Sequence, residues 1–117
     1  MSQNDTFAPD REQLEQLRAD LGSETLAAVL TQCRTESTER MAALRDALAR
    51  GDVAAAAREA HTLAGLQRST GLPTLGDAFA TLERSLEAGA LPGAETLDSL
   101  ATALADAHDA ARDLLTA

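Results

Sequence analysis

Between Leu26 and Leu48 the chain sets apolar or small residues at Leu26, Leu30, Cys33, Ser37, Met41, Leu44 and Leu48, in steps of four, three, four, four, three and four. Those steps stay on one side of a rod with ~3.6 residues per turn, whereas a strand face repeats every second residue. The stretch therefore predicts one long amphipathic helix starting near Ser23 and stopped by Arg50-Gly51. Such a helix is held mainly by burying its stripe, so it needs other elements against it.

The remaining sequence supplies them. Asp10 is placed to cap a short first helix over residues 10–21, with Leu14, Leu17 and Leu21 on one side and Gly22 ending it. Asp52 caps a third helix running from Val53 to about Thr70, with Gly71 as its stop. Pro73 lies just inside a fourth, where its missing N–H does no harm, and that helix carries Leu75, Phe79, Leu82 and Leu86 to Gly89. After Pro92-Gly93, a fifth carries Leu97, Leu100, Leu104, Ala111 and Leu115. Composition agrees, because the apolar residues are mostly Ala (26) and Leu (19), with two Val and no Ile, Trp or Tyr. Alanine and leucine lose least on entering a helix. The expected fold is all-α: an antiparallel four-helix bundle with an additional short N-terminal helix across one end. Residues 1–9 read as a flexible tail and 10–117 as a single domain, the size at which one core can just be enclosed.

A net charge of −9, with all ten basic residues Arg, repels phosphate backbones and anionic membranes, so nucleic acid and membrane are not expected partners. The single Cys33 allows no internal disulfide, the N-terminal residues have no signal-peptide pattern, and no stretch approaches ~20 apolar residues, so the expected location is the cytoplasm. One Cys and two His 47 positions apart offer no zinc or iron–sulfur spacing, and there is no Gly-rich phosphate loop or Ser nucleophile elbow. A self-sufficient catalytic centre is not expected.

The two histidines differ. His108 falls near the middle of the fifth helix's apolar stripe and reads as a core or core-edge residue. His61 points away from Leu63 and Leu66, and on an ideal helix Ala54, Ala57, Ala64, Gly65 and Arg68 share its face, with Arg58 at the edge of that sector. Two readings are open: an exposed histidine on an alanine-rich helix, or a nucleophilic imidazole on an open apolar platform that accepts a group from a partner. Imidazole, with an ordinary pKa of ~6.5, is largely neutral and nucleophilic near pH 7. Gly65 costs a helix up to ~1 kcal/mol relative to Ala, which makes sense where another molecule must come close.

The run Ala60-His61-Thr62-Leu63-Ala64-Gly65, with Gly71 ten positions after the histidine and then Leu82-Glu83 and Gly89, resembles the histidine-containing phosphotransfer (HPt) domain of bacterial multistep phosphorelays. The resemblance spans about residues 14–115. It implies a helical bundle whose exposed histidine, here His61, is reversibly phosphorylated. The partners it implies are a histidine kinase and response-regulator receiver domains, which bring the Mg²⁺ and an acidic pocket, so that this chain needs no cofactor of its own. The expected state is a monomer.

The chain departs from the pattern in two respects. Ala64 stands where the family usually has Lys, and Leu66-Gln67 replace the usual small residues. Arg68 two turns along and Arg58 one turn before are candidates to replace the missing charge, with Ala57, Ala64 and Gly65 as the surrounding docking surface. The alternative for both arginines is ordinary surface pairing with Glu59 or an acid of a neighbouring helix. Glu83 is assigned a structural ion pair or hydrogen bond near the third helix rather than a catalytic role. For the whole chain, the alternative to a phosphocarrier is an HPt-like binding module that docks a receiver or kinase and transfers nothing.

Overall fold

A computed structural model describes residues 7–116, which form five helices: α1 (Arg11–Leu21), α2 (Ser23–Ala49), α3 (Val53–Ser69), α4 (Pro73–Glu87) and α5 (Ala94–Thr116). No strand occurs among the described residues. The starts and stops follow local chemistry. Asp10 accepts a hydrogen bond from the Gln13 N–H and Asp52 from the Ala55 N–H, each satisfying a donor that the first helical turn leaves unpaired. Pro73 occupies the first turn of α4. Of the expected tail, residues 1–6 lie outside the described residues, and Phe7 packs partly buried against the main core.

Ion pairs between helices give their directions. Arg34 of α2 pairs with Asp109 of α5, and Arg45 with Asp98, so α5 descends as α2 ascends. Arg68 of α3 meets Asp77 of α4, while Arg40 of α2 meets Glu59 of α3. Helices α2 to α5 form the antiparallel bundle. Across one end lies α1: the Asp10 N–H donates to the Gly71 carbonyl (2.8 Å) and the Gln13 side chain donates to the Arg68 carbonyl (2.8 Å). Leu14 sits so tightly against Gly71, itself at φ +84°, that a Cβ there would come within 2.7 Å of a Leu14 methyl.

The stripes read from the sequence face the core, although Leu17 on α1 and Leu100 on α5 are only partly buried. Ala47 is buried on α2 where Leu48 is only partly so, and on α1 only Leu14 is buried while Leu21 is exposed. Alanine and glycine bring α3 and α4 close, and at Gly76 a Cβ would approach the Ala64 carbonyl to 3.0 Å and the Arg68 side chain to 2.5 Å. Among the described residues, no helix is long and apolar enough to cross a membrane.

His108 lies in the core, as its place on the stripe implies, and joins a polar chain across three helices. Its Nε2 lies 2.7 Å from Gln67 Oε1, and Gln67 Nε2 donates to Ser37 Oγ (2.9 Å). Cys33 Sγ, also buried, sits 3.9 Å from Ser37 Oγ and 3.4 Å from Thr70 Oγ1. Burial, reinforced by the Arg34 charge and opposed by Asp109, lowers the His108 pKa from 6.5 to about 4. The unfolded chain thus takes up a proton near pH 6.5 that the native protein refuses until about pH 4, so stability is full above the first value and is lost as pH falls toward the second. Between pH 7 and pH 5 the expected loss is about 2 kcal/mol. Urea unfolding at the two pH values checks it. His108→Leu should start less stable yet lose much less over the interval, and an equal loss in both proteins would remove His108 as the cause.

Candidate functional site

His61 stands midway along α3 with its side chain 76% exposed, while Leu63 beside it is fully buried and fixes which face of the helix looks outward. Across the seam, α4 buries Phe79, Leu82 and Leu86, which places Glu83 at the edge of that stripe, with its side chain 22% exposed. Glu83 Oε1 lies 3.1 Å from His61 Nδ1. A carboxylate only accepts, so Nδ1 carries the proton in this contact and Nε2 is left with its lone pair. The contact engages one ring nitrogen, while the side chain as a whole stays open to solvent. An open depression runs from the imidazole toward the start of α3, lined by Val53, Ala54, Ala57 and Arg58 on that helix and by Glu83 and Glu87 on α4.

The structure separates the residues that the sequence grouped around His61. Gly65 is exposed, and a Cβ at that position would meet nothing within 4 Å, so the space it leaves opens outward. Ala57 and Ala64 are not on an open face: they are 8% and 3% exposed. The helical projection took the leucines as the buried side, but α3 is flanked by both α2 and α4, and small residues let α4 settle over that edge. Ala57 still forms part of the depression, whereas Ala64 belongs to the α3–α4 seam. Arg68 is exposed but held by Asp77 (2.7 Å) and lies against Gly76, in the surface pairing that was its alternative reading. Arg58 is exposed and lines the depression with His61.

Glu83 does make the contact to the third helix that the sequence assigned to it, but sequence reasoning missed that its partner is the His61 imidazole. The signal was present: a hairpin that turns at residues 70–72 folds positions about ten before the turn onto positions about ten after it. Among the described residues no group of three His, Cys, Asp or Glu converges as metal ligands would.

Residues 28–114 match the family described as the Hpt domain. The chain belongs to the Hpt domain family. Over 77 residues, this Hpt chain is also 40% identical to the sensor histidine kinase AruS of Pseudomonas aeruginosa, a match covering 66% of the chain and 8% of that kinase. The chain thus spans less than a tenth of the length of that curated relative. No solved structure matches it. Membership in the Hpt family implies histidine phosphotransfer in a phosphorelay, and Hpt domains partner with kinases and receiver domains.

Proposed function

We propose that His61 is the phosphoryl acceptor of this Hpt domain, taking the group from a receiver aspartate or a histidine kinase and passing it to another receiver aspartate. The observation that carries this reading is the solvent-exposed imidazole held at Nδ1 by Glu83. In the transfer, the Nε2 lone pair attacks phosphorus in line with the acyl-phosphate bond. The N–P bond forms, the P–O bond to the aspartate breaks, and the carboxylate leaves with the bonding electrons. The Nδ1 proton stays in place, so the product ring is cationic, and Glu83 faces that charge. Phosphoryl transfer of this kind depends mainly on positioning and charge neutralisation, which suits a helix presenting one nitrogen to a partner. In this reading the receiver brings the Mg²⁺ and its acidic pocket, and the chain acts as a cytoplasmic monomer. Docking uses the surface around His61, including Gly65, Thr62 and Ala57, with Arg58 and Arg68 at its margins.

Incubation with a phosphorylated receiver domain and Mg²⁺ is expected to yield an acid-labile phosphoryl group that peptide mapping places on His61 and that His61→Gln abolishes. The second reading, a module that docks without transfer, is favoured by Ala64 in place of the family's usual Lys. It predicts receiver binding with no labelled histidine, and that outcome would overturn the first.

A further inference from the structure

We infer that Arg58, one turn before His61, is the residue that neutralises the phosphoryl group, in place of the lysine that the family usually carries one turn after it. This rests on His61 being the acceptor. Helical side chains lean toward the N-terminus of their own helix, so a side chain covers the turn before it. His61 therefore leans over the turn that contains Ala57 and Arg58, and the depression beside the imidazole extends the same way, to Val53 and Ala54. Residues beyond Thr62 on α3 do not line it. Arg68 lies outside that space and is engaged by Asp77. Arg58 is inside it, exposed, and makes no ion pair or hydrogen bond among the described residues. Its neighbour Glu59, the obvious competitor, is held by both contacts of Arg40, at 3.0 and 3.1 Å.

The charges around the depression create the need. Glu83 and Glu87 also line it, and the chain as a whole carries −9, so an incoming phosphoryl group meets carboxylates on the α4 side. A guanidinium opposite them offsets that repulsion by its charge. Ala64, buried in the seam, leaves the family's usual lysine position without a charge. Arg58 supplies one from the opposite direction along the helix.

Phosphoramidate tests this, because it is a small donor with no docking surface. His61 Nε2 attacks its phosphorus, the N–P bond to the ring forms, and the P–N bond to the departing ammonia breaks, ammonia taking the bonding pair. The rate at which phospho-His61 appears is expected to fall about fivefold in Arg58→Ala, a size set by the exposure of the site. Arg58→Lys should recover most of the rate, and Arg45→Ala, at the α2–α5 seam where Arg45 pairs with Asp98, should leave it unchanged. The Arg58→Ala deficit should shrink in high salt, which screens an exposed charge but would not repair a packing defect. An unchanged rate in Arg58→Ala, with wild type labelled at His61, overturns the role of Arg58 alone. Wild type that takes no label at His61 overturns the acceptor assignment beneath it. A deficit that salt does not reduce, or that Arg58→Lys does not recover, also counts against a charge role.

Discussion

Glu83→Ala is expected to slow labelling of His61 by a phosphorylated receiver about tenfold to a hundredfold, while leaving the fold intact. The size follows from a hydrogen bond that becomes charge-assisted during the reaction, worth ~1.5–3 kcal/mol, and a factor of ten in rate corresponds to ~1.4 kcal/mol. Two effects are combined in that figure. Through its 3.1 Å contact, Glu83 holds the proton on Nδ1 and orients the ring, and in the proposed transfer its negative charge would offset the cation formed as Nε2 takes the phosphoryl group. Glu83→Gln separates them, because an amide oxygen still accepts from Nδ1–H but carries no charge. Its rate should lie between those of wild type and the alanine variant. Nitrogen chemical shifts of the His61 ring should show Nδ1–H predominating in wild type and a mixture of tautomers in Glu83→Ala. Wild-type kinetics in Glu83→Ala would show that the ring needs no support from α4.

That contact also marks where reading the sequence stopped short. The helices were legible because the signals are local: Asp10 and Asp52 cap the helices they precede, Pro73 opens α4, and the stripe from Leu26 to Leu44 is buried at each position. His61 was legible as exposed because Leu63 fixes the opposite face. Ala57 and Ala64 were misplaced because alanine carries little information about burial: it is tolerated on an open face, and it also lets a second helix approach closely. Only the packing of α4 on α3 decides between the two. Glu83 meets His61 for the same tertiary reason, since no helical wheel drawn for one helix contains the residue that faces it from the next. The buried chain through His108, Gln67 and Ser37 likewise joins three helices, and of its members the sequence identified His108 and Ser37 as stripe positions without their connection.

Phe79→Ala is expected to destabilise the domain by about 3–5 kcal/mol, a large share of the ~5–15 kcal/mol that holds a typical domain. Phe79 is fully buried and heads the largest buried side chains; Phe7 is the only other aromatic residue in the chain. The main core around it includes Ala56, Ala60, Ala80 and Ala107 together with leucines. How much a truncation costs depends on whether neighbours can move into the space, and alanine has no side chain to swing. Backbones already drawn close by Ala64 and Gly76 have little room to close further. The cavity should therefore persist, which places the loss toward the upper part of the range. Phe79→Leu keeps most of the volume and should lose less than ~1.5 kcal/mol. Urea unfolding measures both, with a lower midpoint and an unchanged slope if the native state keeps its compactness. A loss below 1 kcal/mol for Phe79→Ala would mean that the helices re-pack around the missing ring, in which case small residues on α3 and α4 confer adaptability rather than a fixed spacing, and the His61–Glu83 contact that depends on that spacing would have to be maintained in another way.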